Sequence, residues 1–400
     1  MHIAMISYHT CPLASREGKE TGGMNVYVLE LSRALTKLGH NVDIYTRSHE
    51  ENDDLITFVE PNLRVLHIPA GPQTSIPKKL MRLYVDEFTQ NIFGFIRKEG
   101  FPYDIIHAHY YLSGIITTKL LFLEKKLSVN PAKFVMSFHT LGLMKNLVAR
   151  DTLEREGAAR IQSEFSLMKQ ASRIIASSDS DRSYMEYLYD VPKEKISVVS
   201  PGVDTALFHP MKRTDARVHI QANPNHKIVL FVGRIEPLKG IDTLIYAIKI
   251  LKQQYPKETI CLWIVGGDSS KTTGLTRLQK TLGLHSSIRF VGRQKQTELP
   301  QYYNAADVVV MPSHYESFGM SALEALACGV PVIATNVAGV SAYTSLVTSV
   351  NNPLLLASQI QKVLTHTPQT VGTDTFLAKH QWSRVAQSLI SLYTSVIRGA

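Results

Sequence analysis

The sequence predicts an α/β protein with two domains, each built on a parallel sheet. Three observations predict this. A chain of 400 residues is too long for one compact core, strand-like runs alternate with helical patterns, and that alternation restarts after residue 226. The segment SPGVDTALFHP, residues 200–210, has the turn residues of a linker. We therefore expect an N-terminal domain over residues 1–205 and a C-terminal domain over residues 206–381.

The N-terminal series begins with the buried run IAMISY, a loop, and Gly22-Gly23 before a helix. That helix has apolar side chains at three- and four-residue spacing and ends at Gly39. Further strand-like runs are VDIYT, LRVLHI, YDIIHAH, KFVMSFH, RIIASS and ISVVS. Strands alternating with helices predict a parallel sheet.

The second series begins with IVLFV and a helix whose apolar face starts at Ile241. The strand-like runs that follow are ICLWIVGG, IRFVG, DVVVMPS and PVIAT. The final helix, within residues 382–400, has one apolar face. The sequence does not decide whether this helix packs on the N-terminal domain or on the C-terminal one.

Composition narrows the function classes. Three cysteines, odd in number and far apart, support neither a disulfide framework nor a zinc cluster, and favour a reducing cytoplasm. We expect no signal peptide and no membrane-spanning segment. A formal net charge of +9 favours anionic partners. The sequence has no stripe of aromatic and basic residues of the kind that predicts nucleic-acid binding.

Unusual residues follow strand ends, where open parallel sheets bind ligands. Gly22-Gly23 precede a helix N-terminus that favours phosphate, although a tight turn is the alternative. Arg234 and Lys239 follow the first strand of the second series. Two cations there could stabilise a departing pyrophosphate, and solvated surface charge is the alternative.

The stretch HYESFGMSALEALACG places Glu316 in a loop and Glu324 in the helix that starts near Gly319. Carboxylates accept hydrogen bonds from sugar hydroxyls, so one could hold a hexose and the other a ribose. A glycosidase-like pair is a rival use, which placement within one motif disfavours. A capping glutamate with a surface glutamate is the structural alternative.

Together these motifs resemble the retaining glycosyltransferases of family 4, which have the GT-B fold of two Rossmann-like domains facing a central cleft. The glutamate stretch is similar to the E-x7-E motif of that family. The similarity extends through TGGMNVYVLELSRALTKLGHNVDIYTR, HAHYYLSG, SFHTLGLMKN, ISVVSPGVD and FVGRIEPLKG. It resembles in particular the mycothiol-pathway branch, which joins N-acetylglucosamine to inositol 1-phosphate and is related to sucrose-forming synthases.

The resemblance implies a donor site. Arg234 and Lys239 match the pair that binds the diphosphate, and His139 matches the histidine that supports positive charge on the sugar. With Glu316 they form the expected catalytic set. The departing phosphate is expected to take the acceptor proton on the same face, so configuration is retained without a metal or cofactor. The matched donor-binding residues are Gly22, Gly23, Arg234, Lys239, Arg293, Glu316, Phe318, Gly319, Met320 and Glu324.

The resemblance also implies an acceptor site in the first domain. Its matched residues are Asn25, Lys78, Tyr110, Thr140 and Arg160. Lys79 could replace Lys78, and a basic surface helix over IPKKLMRLYVDEF is the alternative, with membrane contact as a further one. Retention of the cluster favours a phosphorylated polyol or sugar as acceptor.

We therefore expect transfer of N-acetylglucosamine or glucose from a UDP-linked sugar to a phosphorylated acceptor such as inositol phosphate. A lipid or polysaccharide acceptor, a sucrose-phosphate-synthase-like reaction and a non-catalytic sugar-nucleotide-binding module are the alternatives. A homodimer and peripheral contact with the inner membrane face stay open. The segment after Gly339 looks shorter than the glycine-rich turn that relatives in the family carry there, which bears on oligomer contacts and fine specificity.

Two motifs resemble metal sites. Asp179-Ser180-Asp181 spells a D-x-D motif, but its place after a short strand predicts a helix cap. His107 and His109 share one face of a strand with no third ligand near in sequence, which favours a packed or substrate-facing role over zinc.

Overall fold

The structure is a computed structural model, and it describes residues 1–16, 22–50, 53–100, 102–125, 131–267, 272–337, 339, 344–366 and 373–399. The chain divides into two units. Unit 1 comprises Met1–Ala14, Gly23–Gly202 and Trp382–Ala400. Unit 2 comprises Ser15–Gly22 and Val203–Gln381. The crossing near residue 202 lies inside the predicted linker.

Unit 1 is built on an eight-stranded sheet. Its strands are β1 (His2–Ile6), β2 (Asn41–Arg47), β3 (Ile56–Glu60), β4 (Leu63–Ile68), β5 (Ile105–His109), β6 (Lys133–Ser137), β7 (Arg173–Ala176) and β8 (Ile196–Val198). Its helices before residue 202 are α1 (Gly23–Lys37), α2 (Val85–Glu99), α3 (Tyr111–Glu124), α4 (Gly142–Val148), α5 (Ala158–Gln170) and α6 (Asp179–Tyr189).

The strand order in unit 1 is β3-β4-β2-β1-β5-β6-β7-β8. All neighbours are parallel except β3 and β4, which pair antiparallel. The predicted parallel sheet is thus extended at this edge by one antiparallel strand, β3, which the sequence analysis did not predict. Only Pro61 and Asn62 separate β3 from β4, and so short a connection can join only antiparallel strands.

Unit 2 is built on a six-stranded sheet with all neighbours parallel. Its strands, β9 (Lys227–Val232), β10 (Ile260–Val265), β11 (Ile288–Gly292), β12 (Val308–Met311), β13 (Val332–Thr335) and β14 (Val347–Thr348), lie in the order β11-β10-β9-β12-β13-β14. Its helices are α7 (Arg213–His219), α8 (Ile241–Gln254), α9 (Thr273–Thr281), α10 (Leu299–Ala305), α11 (Met320–Ala327), α12 (Pro353–Thr365) and α13 (Thr373–Lys379).

Both faces of the unit 2 sheet are buried. Along β9, Ile228 and Leu230 enter one apolar cluster, whereas Val229 and Phe231 enter another. This division follows from the two-residue period of a strand, and it explains why IVLFV reads as a continuous apolar run. Because neighbouring strands of this sheet are parallel, their carboxyl ends lie at one edge, and the predicted donor residues Arg234, Lys239, Arg293 and Glu316 follow these ends.

The last helix, α14 (Trp382–Arg398), belongs to unit 1 and packs on α1. Its apolar face includes Trp382, Leu389 and Tyr393, all buried. Within the described residues, no helix combines the length and apolar character needed to cross a membrane.

Candidate functional site

Two loops at the carboxyl ends of β9 and β12 touch each other in unit 2. Gly240 has a φ of 62°, and a Cβ there would lie 2.1 Å from the carbonyl oxygen of Pro312. The backbone N–H of His314 donates to the carbonyl oxygen of Leu238 at 2.8 Å. Glycine is thus required at position 240, both for its positive φ and for this close approach.

That contact brings Lys239 and Glu316 together. Lys239 Nζ lies 2.5 Å from Glu316 Oε2, and both side chains are 16% exposed. Arg234 Nη1 lies 2.9 Å from Glu236 Oε1, with the arginine side chain 43% exposed. Each predicted diphosphate-binding cation therefore has a carboxylate partner and keeps some access to solvent.

The residues after Glu316 form the N-terminus of α11. Gly319 precedes the helix with a φ of 85°, Phe318 is buried, and Met320 is the first helical residue. The first N–H groups of a helix have no partner within it and favour anions or polar ligands. The predicted sugar-contacting amides therefore lie at a helix N-terminus.

Glu324 lies inside α11, buried against α10. Tyr303 donates its hydroxyl to Glu324 Oε2 at 2.7 Å. Burial raises the pKa of Glu324 to about 7, although the hydrogen bond from Tyr303 opposes the shift. This carboxyl is therefore close to half protonated near neutral pH.

Arg293 follows Gly292, the last residue of β11, and is half-buried. The N–H of Gly266 donates to the carbonyl oxygen of Gly292 at 2.7 Å, and a Cβ on Gly266 would lie 2.2 Å from the carbonyl oxygen of Gly233. The loop after β10 therefore touches both the residue before Arg234 and the residue before Arg293, and lies between them as β10 lies between β9 and β11.

In unit 1 four of the five predicted acceptor residues, all except Asn25, form a cluster around Arg160, whose side chain is 4% exposed. Its Nη2 donates to the carbonyl oxygen and the hydroxyl of Thr140, at 2.9 and 3.2 Å. Its Nη1 donates to the hydroxyl of Tyr110 at 3.1 Å. The ammonium of Lys78 lies 3.9 Å from the centre of the Tyr110 ring, as in a cation–π contact.

The backbone at Tyr110 is strained. This residue lies between β5 and α3 and has a φ of 77° and a ψ of 152°. Residues other than glycine rarely adopt this backbone conformation. His139, after the neighbouring strand β6, also has a positive φ, 59°. Backbone strain is typical of functional sites, and a positive φ occurs here at two predicted site residues.

Two glutamates complete the cluster around Arg160. Glu164 Oε1 accepts from Arg160 Nε at 2.8 Å, and its carboxylate also accepts from the N–H of Gly142 and the hydroxyl of Tyr189. Glu156 Oε1 lies 2.7 Å from Arg160 Nη1 and also pairs with Lys145. Burial would raise the pKa of Glu156, but the neighbouring Arg160 and Lys145 lower it overall.

The lysines near this cluster do not form a basic surface helix. Lys78 and Lys79 lie in a turn before the 3-10 helix Met81–Tyr84, and α2 begins only at Val85. The alternative of a basic helix over these lysines was therefore wrong. Pro77 precedes them, and its carbonyl oxygen accepts from the N–H of Leu80 to close the turn.

His139 packs against a second histidine. His139 Nε2 lies 3.0 Å from His109 Nδ1, and the ring of Tyr27 meets His139 edge-on. Burial lowers the pKa of His139 to about 4. The imidazole is therefore neutral at pH 7, which suits a group that would stabilise positive charge.

His107 and His109 are both buried on β5 with ring centres 4.2 Å apart. His107 Nδ1 lies 2.7 Å from the hydroxyl of Tyr393 on α14, and Nε2 lies 2.8 Å from Ser137 Oγ. Among the described residues, no three His, Cys, Asp or Glu side chains converge as metal ligands would. Both histidines have packed positions.

Three predictions concern residues at helix starts. Gly22 precedes α1 and Gly23 is its first residue. Asn25 is buried, accepts from Thr10 and donates to the carbonyl oxygen of Cys11, so its amide holds the loop after β1. The cap of α6 is Ser178, which accepts from the N–H of Asp181, so the D-x-D residues follow the cap.

Several partner residues escaped the sequence analysis. Glu156 and Glu164 stand four residues before and after Arg160, a spacing that predicts ion pairs when the residues share a helix. That signal was present but unused. Tyr303 lies 21 residues from Glu324, and nothing local in the sequence links them.

The comparisons with known proteins agree with this arrangement. Residues 21–207 match the family described as Glycosyltransferase Family 4, and residues 212–369 match Glycosyl transferases group 1. A D-inositol 3-phosphate glycosyltransferase of Corynebacterium urealyticum is 34% identical over 99% of this chain and 96% of its own length. A D-inositol 3-phosphate glycosyltransferase 2 of Catenulispora acidiphila is 37% identical over 85% of this chain and 80% of its own length.

Solved structures show the same fold. Sucrose-phosphate synthase from Thermosynechococcus elongatus has a TM-score of 0.88 and 29% identity, with 100% of both chains covered. Anabaena Alr3699/HepE in complex with UDP and glucose has a TM-score of 0.75 and 18% identity, covering 99% of this chain and 100% of its own. The prediction of a GT-B fold with two Rossmann-like domains is confirmed.

Proposed function

The chain belongs to the family 4 glycosyltransferases, and we propose that it is a retaining, metal-independent enzyme that uses a UDP-linked sugar. It moves N-acetylglucosamine or glucose to a phosphorylated polyol or sugar, with inositol phosphate as the leading acceptor. Relatives named D-inositol 3-phosphate glycosyltransferase support the acceptor class. A structural neighbour bound to UDP-glucose supports the donor class. Small phosphorylated substrates also fit a cytoplasmic location.

The observation that carries the proposal is the convergence of Arg160, Lys78 and Thr140 around the strained Tyr110. Two cations and a hydroxyl are the groups that bind a phosphate through charge-assisted hydrogen bonds. All five N–H groups of Arg160 already have acceptors, from Thr140, Tyr110, Glu156 and Glu164. An acceptor phosphate would therefore replace Glu156, the more exposed of the two carboxylates.

On the donor side, the proposed chemistry is charge stabilisation. Arg234 and Lys239 exchange their carboxylate partners for the diphosphate and stabilise it as the bond from C1 of the sugar to phosphate oxygen breaks. Lys239 thereby releases Glu316 to accept from sugar hydroxyls. The acceptor oxygen bonds to C1 on the same face and loses its proton to the departing phosphate. Neutral His139 supports the positive charge that develops on the sugar.

The test measures nucleotide release by the purified chain with UDP-GlcNAc, UDP-glucose and GDP-mannose, each with and without inositol 1-phosphate, in EDTA. We expect release with a UDP sugar only when the phosphorylated acceptor is present, and an NMR spectrum of the product with the anomeric configuration of the donor. Loss of transfer in EDTA would contradict metal independence. An inverted product would contradict retention.

A hexose 6-phosphate is the second candidate acceptor. The similarity to sucrose-phosphate synthase over the whole of both chains favours it. Fructose 6-phosphate and unphosphorylated fructose therefore belong in the same assay, with free inositol as the matching control. Equal rates with phosphorylated and free acceptors would sink the phosphate-binding role of Arg160. Lipid or polysaccharide acceptors would then be the next ones to test.

A further inference from the structure

We propose that Met5 and His109 are positioning residues that fix the tautomer of His139, so that its Nε2 carries the proton and its Nδ1 is the acceptor. The inference rests on the proposed function for its catalytic meaning, because there His139 supports the reacting sugar. Its structural content is a line of three side chains across neighbouring strands and the loop after β6.

The line begins at Met5 on β1. Met5 Sδ lies 3.3 Å from His109 Nε2, and both side chains are fully buried. A thioether sulfur accepts hydrogen bonds and cannot donate them. The favourable arrangement therefore places the His109 proton on Nε2, facing the sulfur.

The line continues from His109 to His139. Burial, together with the neighbouring His107 and His139, lowers the pKa of His109 well below its ordinary value, so the ring is neutral at pH 7. A neutral imidazole with a proton on Nε2 has a lone pair on Nδ1. His109 Nδ1 lies 3.0 Å from His139 Nε2, so His139 must be the donor in this hydrogen bond.

The opposite arrangement is disfavoured at the sulfur. If His109 carried its proton on Nδ1, its Nε2 lone pair would face the lone pairs of Met5 Sδ in a buried site. Two acceptors facing each other lose the hydrogen bond and keep the cost of desolvation. Met5 thus determines the His109 tautomer, and His109 determines that of His139.

The consequence is chemical as well as geometric. In this tautomer Nδ1 of His139 is unprotonated and acts only as an acceptor, the character that suits a sugar hydroxyl or a neighbouring positive charge. In the other tautomer, Nδ1 would present an N–H, whose positive end would oppose such a charge. The ring of Tyr27, edge-on to His139 at a centroid distance of 5.1 Å, restricts its rotation.

The test uses the full chain labelled with 15N-histidine, because protonated and unprotonated ring nitrogens resonate far apart. The protein has 15 histidines, and the signals missing from the spectra of H109N and H139Q identify those of His109 and His139. We expect Nε2–H and unprotonated Nδ1 at both residues in the wild type. A proton on Nδ1 of His139 would overturn the proposal.

Met5→Leu removes the sulfur acceptor and keeps a similar apolar volume. We expect mixed tautomers at His109 and His139, and a kcat lowered roughly threefold to tenfold with an unchanged KM for the acceptor. Met136→Leu is the matched control, because Met136 is also a buried methionine, on β6. It is in register with Ala108, so its side chain lies on the opposite face of the sheet from that of His109. Unchanged tautomers in Met5→Leu would show that the thioether does not fix them.

A pair of His109 variants completes the test. His109→Asn keeps an acceptor near the position of Nδ1, whereas His109→Phe keeps ring volume without one. We expect H109N to retain the His139 tautomer and most of the kcat, and H109F to lose both, with a kcat lowered about tenfold or more. Equal effects of the two variants would overturn the proposal. If the wild type transfers no sugar with any substrate pair, the proposed function fails, while the tautomer is still read from the spectra.

Discussion

Arg160 in unit 1 and Lys239 in unit 2 are both cations paired with carboxylates, yet their environments differ. Arg160 is almost inaccessible and donates all five N–H groups, two of its contacts being to glutamates. Lys239 pairs with Glu316, and both retain access to solvent. A buried cation such as Arg160 therefore contributes to the fold in addition to its proposed role in binding, whereas a partly exposed one can change partners with little cost to the fold.

The largest expected effect is on the stability of unit 1. Arg160→Met leaves the buried carboxylate of Glu164 without its cation, and this should cost about 3–5 kcal/mol of unfolding free energy. Urea unfolding of a W263F background checks this, because Trp382 then reports on unit 1 alone. The double variant R160M/E164Q should recover part of the loss. A loss below about 1 kcal/mol would erase the contrast with Lys239.

The next effect is on catalysis in unit 2. Lys239→Met should lower kcat by about 10²–10³ if Lys239 is one of the two cations proposed to stabilise the leaving diphosphate. Its unfolding free energy should change by less than about 1 kcal/mol, since the ion pair is partly exposed. Lys257→Met, at an exposed lysine of the same unit, is the control. A kcat within threefold of wild type would show that Lys239 does not stabilise the transition state.

Glu324 offers a third test, because it is a buried acid without a cation among its described hydrogen-bond partners. Its pKa rises from 4.5 to about 7 on folding, so the folded state retains a proton that the unfolded state releases between these pH values. Stability should therefore fall as pH rises from 4.5 to 7, by up to about 3 kcal/mol.

Glu324→Gln should flatten this pH dependence, because the amide does not ionise. Urea unfolding followed by Trp263, in a W382F background, measures it for unit 2. Glu298→Gln, at an exposed carboxylate of the same unit, should leave the slope unchanged. If the wild-type slope survives in Glu324→Gln, another group is responsible for it.

The smallest effect concerns Glu156. If its carboxylate occupies the place of the acceptor phosphate beside Arg160, Glu156→Gln should lower the KM for the phosphorylated acceptor by roughly threefold to tenfold, as removal of one charged competitor predicts. The KM for the donor should not change. Glu154→Gln, on the same loop and paired with Arg150, is the control. A raised acceptor KM would instead make Glu156 a residue that orients Arg160.

Much of the fold follows from local sequence patterns. The run IVLFV and the apolar spacing from Ile241 predict β9 and α8, because burial on both faces of the sheet and on one face of a helix imposes those periods. The strand β3 was missed. Its five residues are half-buried or exposed, so burial does not impose on ITFVE the continuous apolar run of a central strand such as β9.

The site follows from sequence only in part. Lys239 and Glu316 are recognisable from their motifs, and the structure places them in contact. The raised pKa of Glu324 depends on burial against Tyr303, and the strain at Tyr110 depends on the junction of β5 with α3. Both properties arise from tertiary packing, which no local pattern encodes.

The return of α14 to unit 1 has a consequence for the order of folding during synthesis. Tyr393 bonds to His107, and Trp382 packs on Tyr27, yet residues Val203–Gln381, which make up most of unit 2, are translated between these partners. Unit 2 has its complete sequence on the ribosome before the last helix of unit 1 exists, although domains often fold in the order of their synthesis. The N-terminal unit of this enzyme is thus the one that finishes last.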